Sequence, residues 1–327
     1  MIAMVLKRIG AALELTDLPD PQPGVGEVRV KVSACGVCRT DLHVVDGELP
    51  NPHVPIIPGH EIVGRIDLIG SGVEGLKLGD RVGVPWLGHT CGTCSYCAGN
   101  QENLCDHPVF TGFTRNGGFA SLVVADARFA FLLGEVGSDE SLAPFLCAGL
   151  IGWRSLRMGG KGERIGLYGF GAAAHIVAQI AIWQGRSVFA FTRAGDLATQ
   201  DFARSLGACW AGGSDDSPPE LLDVAIIFAT AGDLIPRALK AVRKGGRVVC
   251  AGIHMSDIPS FRYSLLWEER QLVSVANLTR QDGIEFFRQV PAMGVVTKTT
   301  RYPLVQANQA LADLRAGRFV GAAVLVP

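Results

Sequence analysis

Alternating apolar and polar positions dominate the first 150 residues. The runs EVRVKVSACG, EIVGRIDLIG, DRVGVPW and FASLVVAD alternate in this way, and Gly- and Pro-containing turns separate them. A period of two belongs to strands with one buried face, so this half predicts an antiparallel, barrel-like β unit. The pattern then changes. RIGLYGFG, SVFAFT, LLDVAIIFAT and RVVCAGI are near-continuous apolar runs, as buried strands are. Between them, AAAHIVAQIAIWQG carries Ile176, Ile180 and Trp183 at helical spacing, and DLATQDFARSLG and LIPRALKAVRKGG read as further helices. Strands alternating with helices predict a doubly wound parallel sheet of the Rossmann type. The expected fold class is α/β, a Rossmann sheet plus a mostly β unit. The expected domains are a catalytic one at 1–150, to which 290–327 returns through a strand-like tail, and a dinucleotide-binding one at 151–289.

Composition narrows the function. The chain has 327 residues, more than single cores usually hold. Its formal net charge is −1 with no basic stripe, which argues against a nucleic-acid partner. No segment reaches the ~20 apolar residues of a membrane span, and the first apolar run is too short for a secretory leader. A cytoplasmic protein without a membrane partner is expected. In that compartment nine cysteines are not expected to form disulfides, so they need another explanation.

CGTCSYCAGNQENLCDH supplies Cys91, Cys94, Cys97 and Cys105. Two C-x2-C steps and a fourth cysteine after a short loop suit a closed, tetrahedral, structural zinc site. The alternatives are four unligated thiols or an iron–sulfur cluster, and His89 or His107 could replace one thiolate. A second constellation is dispersed. CGVCRTDLH holds Cys38, Thr40, Asp41 and His43; PGHEIVG holds His60 beside Glu61; PFLCAGL holds Cys147. Two cysteines and a histidine leave zinc one position for water or substrate, the pattern of a catalytic site.

LYGFGAAAH places Gly169, Gly171 and Ala174 after a strand and before a helix, in the G-x-G-x-x-A spacing of a dinucleotide turn. An NAD site usually has an acid at the end of the next strand, whereas this strand ends in FTRAGD. Thr192 and Arg193 stand there, and a guanidinium suits a 2′-phosphate, which favours NADP(H). NAD(H) is the alternative, with Asp196 reaching the ribose. Asn277 is a candidate for the nicotinamide side, His175 reads as structural, and Cys209 and Cys250 read as core.

Taken in order and spacing, CGVCRTDLH, GHEIVGRIDLIGSGV, the four-cysteine lobe, CAG at 147–149 and GFGAAA resemble the zinc-dependent medium-chain alcohol dehydrogenases over nearly the whole chain. The resemblance implies a role for each residue. Cys38, His60 and Cys147 would hold a catalytic zinc, with Glu61 approaching it during ligand exchange and Cys35 not a ligand. Cys91, Cys94, Cys97 and Cys105 would hold a structural zinc, making two per chain. Asp41 would accept a hydrogen bond from the ring of His60. Thr40 would bond the substrate oxygen, His43 would pass the proton on, and Arg39 would lie against the cofactor pyrophosphate. Trp86 would line the substrate pocket or pack in the core. The substrate would be a small alcohol, aldehyde or ketone, and the assembly a homodimer or homotetramer. An NAD(H)-linked alcohol or polyol dehydrogenase is the competing enzyme. A non-catalytic zinc and nucleotide sensor is the competitor from another class, and it would not need the proton-moving pair Thr40 and His43.

Overall fold

The computed structural model describes residues 1–327. Contacts divide the chain into two units: Met1–Leu150 with Asn277–Pro291 and Val296–Pro327, and Ile151–Ala276 with Ala292–Val295. The second division therefore falls at residue 276, whereas the sequence pattern suggested 289. Side-chain contacts explain the difference. The helix Arg280–Met293, which the hydrophobic pattern did not reveal, buries Phe286 edge-on to Phe145 with ring centroids 5.6 Å apart. Its first residue, Arg280, donates from its backbone N–H and its guanidinium to Glu102.

The second unit is built on a six-stranded parallel sheet. Its strand order is Trp210–Gly213, Ser187–Thr192, Arg164–Tyr168, Leu222–Ile227, Val242–Cys250 and Gln271–Ser274. The chain starts in the middle, winds to one edge, then crosses over and winds to the other, as in a doubly wound nucleotide fold. Every residue of Leu222–Ile227 is buried, as a strand covered on both faces should be. Tyr168 stacks on Phe191 with centroids 4.1 Å apart, filling the layer between sheet and helices. The helix read over LIPRALKAVRKGG is shorter than the sequence suggests and spans Leu234–Ala241. Val242 is already extended and pairs with Leu222, which leaves Arg243 free to donate to Asp223 at 2.5 Å. Asp223 also accepts from the backbone N–H groups of Glu163 and Arg164 and from the Arg164 guanidinium. It thereby ties three neighbouring strands together at their entry end.

The first unit carries a mostly antiparallel sheet in the order Thr299–Pro303, Ala322–Val326, Glu27–Val37, Glu61–Ile69, Arg81–Val84 and Phe131–Leu132. Leu122–Asp126 also pairs with Glu27–Val37, and only the pair Thr299–Pro303 and Ala322–Val326 is parallel. In Glu27–Val37 the buried residues Val28, Val30 and Val32 alternate with Arg29 and Lys31, so one face meets the core and the other does not. The register sets Gly36 opposite Glu61 and Cys35 opposite Ile62. That pairing brings the CGVC and GHE segments side by side. No helix is long and apolar enough to cross a membrane.

The Arg243 and Arg164 guanidiniums and two backbone N–H groups hold the Asp223 carboxyl well below the usual carboxylate range despite partial burial. The folded group thus releases its proton more readily than the unfolded one. Its contribution to stability is complete above the ordinary carboxylate pKa and is lost as pH falls through the depressed value. Asp223→Ala takes the acceptor from two backbone N–H groups and two partly exposed guanidiniums and is expected to cost roughly 1–2 kcal/mol at neutral pH. Thermal denaturation at pH 7 and at pH 3 checks this, with the difference between wild type and variant shrinking at the lower pH.

Candidate metal centre and nucleotide turn

The strand Glu27–Val37 runs into the helix Arg39–Asp46 through Cys38. Cys38 is the N-cap of that helix: its Sγ accepts from the Thr40 N–H at 3.3 Å, while the Asp41 carboxylate accepts from the Cys38 N–H at 2.9 Å. This reciprocal box fixes where the thiol points. Asp41 is fully buried, and its other oxygen accepts from Gly59 N–H at 3.2 Å. That bond ties the helix to the segment carrying His60.

Three distant segments converge here. His60 Nε2 lies 3.1 Å from Cys38 Sγ, and Cys147 Sγ lies 3.9 Å from it. With a Glu61 oxygen, these donor atoms all lie within 4.8 Å of one another. Asp41 Oδ1 is 3.1 Å from His60 Nδ1, which is ion-pair distance, but the ring N–H does not align with it as a hydrogen bond. A Cβ on Gly36 would collide with the Glu61 carboxylate, so glycine is needed to let that side chain fold beside the cluster.

The electrostatics state what the cluster lacks. Cys147 and burial push the Cys38 thiol well above its ordinary value. Burial, with Cys38 beside it, raises the Glu61 carboxyl well above the carboxylate range. Burial alone would lower His60, but the Cys38 and Asp41 charges outweigh it and hold the imidazole well above its ordinary value. The site draws in protons because the two thiols and the Glu61 carboxyl cannot all ionise in a buried space. A divalent cation replaces those protons, and the two-thiol, one-imidazole donor set fits zinc.

The second cluster has the same logic nearer the surface. The sulfurs of Cys91, Cys94, Cys97 and Cys105 also lie within 4.8 Å of one another. Backbone N–H groups of Thr93 and Cys94 pull Cys91 down to about 5, whereas burial and Cys94 push Cys97 up to about 12. One thiolate is stabilised and the next is penalised, which a cation shared by all four would resolve. Neither flanking histidine joins this cluster. His89 Nδ1 lies 2.7 Å from Asp126, and the His107 backbone N–H donates to Cys105 Sγ at 3.3 Å.

Around the first cluster, His43 is buried, and its Nδ1 pairs with the Glu48 carboxylate. Sequence reasoning did not single out Glu48. The available signal was Gly47, which ends the helix in a left-handed turn and lets Glu48 N–H donate to His43 O at 2.9 Å. That turn sends the acid back along the helix. Thr40 lies half-buried in the first helical turn, and Arg39 is exposed. Trp86 is buried against the ring of His60, and Cys35 is buried without joining the cluster.

At the nucleotide turn, Gly169 is left-handed at φ 86°, and a Cβ there would press on Ala229. Gly171 caps the helix Ala172–Trp183, and a Cβ on it would meet nothing within 4 Å. No side chain caps that helix start, so its N–H groups are available to a pyrophosphate. Ala174 is fully buried, as the small third residue should be. Thr192 is buried, and its hydroxyl donates to backbone carbonyls while accepting from Gln200 at 3.1 Å. It is occupied within the protein, whereas Arg193 is exposed. Asp196 spends one oxygen capping the helix Leu197–Ser205 through Thr199 N–H. Asn277 is left-handed at φ 60°, with its buried Oδ1 lacking a partner. His175 is fully buried. Cys250 is half-buried, and Cys209, expected in the core, is exposed because it lies just before the edge strand Trp210–Gly213.

Fold and site together define a two-unit protein with a Rossmann turn and a thiol–imidazole cluster that could hold a metal ion. Residues 24–135 match the family described as "Alcohol dehydrogenase GroES-like domain". The chain is 47% identical over 314 residues to "Probable alcohol dehydrogenase AdhA" of Mycobacterium tuberculosis, covering 94% of this chain and 90% of that one. It is 32% identical over 338 residues to "Alcohol dehydrogenase" of Geobacillus stearothermophilus, covering 99% of each. Among solved structures, a cinnamyl alcohol dehydrogenase of Sorghum bicolor superposes with a TM-score of 0.91 at 25% identity, covering 99% of this chain and 97% of that one. The chain belongs to the zinc-dependent medium-chain alcohol dehydrogenase family.

His60→Ala is expected to remove one of two zinc ions per chain and to leave the one among the four lobe cysteines. Metal analysis of the purified variant beside wild type checks this. A variant that keeps the full complement would overturn the assignment of His60.

Proposed function

We propose that this protein is a zinc-dependent, NADP(H)-linked alcohol dehydrogenase and carbonyl reductase. Its relatives make it an oxidoreductase acting on alcohols or the matching carbonyls. The observation that carries the finer reading is the convergence of Cys38, His60 and Cys147, with the buried His43 on the helix that Cys38 caps, paired to the exposed carboxylate of Glu48. Zinc, when bound, supplies Lewis acidity toward an alcohol or carbonyl oxygen, and the nicotinamide takes or gives the hydride. Cys38, His60 and Cys147 hold the metal, and Glu61 stands beside them for ligand exchange.

Oxidation of an alcohol gives one hydride to the nicotinamide and one proton to the protein. The Thr40 hydroxyl bonds the substrate oxygen and hands that proton on. His43, whose Nδ1 pairs with the Glu48 carboxylate, passes the proton on toward solvent, and Glu48 orients its ring. Such a relay has no use in a sensor, which supports an enzyme.

Gly169, Gly171 and Ala174 form a pyrophosphate turn, the family resemblance assigns Arg39 to the cofactor pyrophosphate, and Asn277 is a candidate for the nicotinamide side. Arg193 supports NADP(H), since it is the exposed cation after the second strand and Thr192 is already engaged. NAD(H) use would rest on the oxygen of Asp196 that does not cap the helix. A second zinc among Cys91, Cys94, Cys97 and Cys105 stabilises the lobe. Nine cysteines without a disulfide, six of them assigned to zinc, support a reducing compartment such as the cytoplasm, and family membership supports a homodimer or homotetramer.

The test is cofactor consumption with a panel of aldehydes and ketones, using NADPH and NADH in parallel. NADPH is expected to turn over faster. Arg193→Ala is expected to raise KM for NADPH roughly 10–100-fold with kcat little changed, since a charge-assisted phosphate contact contributes about 1.5–3 kcal/mol. Preference for NADH in wild type would keep the enzyme class and overturn the role of Arg193.

A further inference from the structure

The four-cysteine lobe hangs from a short ribbon. The chain enters it through Leu87–His89 and leaves through Val109–Phe110, and these segments pair antiparallel, Leu87 with Phe110 and His89 with Val109. Past the ribbon's far end, Thr111 N–H donates to Trp86 O at 2.8 Å. There Trp86 stacks with Phe110, centroids 5.1 Å apart at 21°, and with Phe113, 5.8 Å apart at 14°. Trp86 meets the ring of His60 edge to face, at 5.0 Å and 80°. A continuous path of chain pairing and ring contact thus joins the lobe to a ligand of the other cluster.

His60 needs such a contact. Its Nδ1 lies near Asp41 without an aligned hydrogen bond, so that carboxylate attracts the ring but does not fix its plane. An edge-to-face aromatic contact does restrain a plane, because the ring quadrupoles favour that angle. Trp86 is itself held in place by its two phenyl neighbours and is buried. Phe110 and Phe113 both follow the last lobe cysteine closely in the chain, so any rearrangement of the lobe moves the rings that hold Trp86.

We propose that Trp86 is a positioning residue for His60, and that through it the grip of Cys38, His60 and Cys147 on their metal depends on the state of the four-cysteine lobe. This rests on the reading of those three residues as metal ligands. Neighbours that orient a ligand typically change metal affinity 10–100-fold when removed. An aromatic edge is expected at the low end of that range, about tenfold.

The test is chelator competition for the zinc that His60→Ala lacks, measured on the full-length protein. Trp86→Leu is expected to weaken that zinc about tenfold, and Trp86→Phe, which keeps a ring, to restore most of the loss. Cys94→Ser, which opens the lobe, is expected to weaken the same zinc in the wild-type background and to add nothing in the Trp86→Leu background. Independent destabilisation would instead add in the double variant. Unchanged zinc affinity in Trp86→Leu, or additive effects of Trp86→Leu and Cys94→Ser, overturns the proposal. A wild-type protein with no His60-dependent zinc overturns the ligand reading beneath it. If Cys94→Ser fails to fold, the Leu and Phe variants of Trp86 still decide whether the ring positions His60.

Discussion

Two thiols, an imidazole and two carboxylates lie together in the interior of the first unit, and they cannot all carry their charges there without a cation. Cys38, Asp41, His60, Glu61 and Cys147 are brought together from three stretches of chain. Burying anionic thiolates and the Glu61 carboxylate without compensation costs several kcal/mol per charge, so the two thiols and the Glu61 carboxyl hold their protons more tightly. The raised thiol and carboxyl pKa values are that cost made visible. A metal-binding centre turns this frustration into affinity, because replacing protons by a divalent ion relieves every group together.

Much of the first unit serves that convergence. The pairing of Gly36 with Glu61 sets the two motifs in register, and the absent side chain of Gly36 makes room for the carboxylate. The capping box aims the Cys38 thiol, and Asp41 binds the helix to Gly59. Slippage of the strands by one residue would carry Glu61 away from Gly36 and turn it to the other face of the sheet. The second unit meets a simpler demand. Its parallel sheet presents a glycine turn that leads into the uncapped start of the helix Ala172–Trp183, and Asp223 ties the strands at the opposite end from that turn.

The sequence made the chemistry more legible than the boundaries. The dispersed Cys38, His60 and Cys147 were joined only by the family resemblance, whereas cysteine spacing pointed to the four-cysteine lobe because ligand geometry constrains residue type and spacing together. The glycine turn was readable for the same reason. Glu48 was not, since Gly47 signals only where the helix ends, and not that the acid after it folds back onto His43. The helix Arg280–Met293 was missed because its hydrophobic stripe is interrupted by Gly283 and Pro291, and its place is set by Phe286 and Arg280 meeting residues more than a hundred positions away. Thr192 and Cys209 show the converse. Strand ends give a residue's place along the chain, but not whether its side chain turns to a ligand, a neighbour or solvent.

Anomalous diffraction at the zinc edge from crystals of the purified protein tests the central claim most directly. The account expects two peaks per chain, one among Cys91, Cys94, Cys97 and Cys105, and one among Cys38, His60 and Cys147. A single peak in the lobe, with the buried cluster left protonated in a zinc-replete protein, would contradict it.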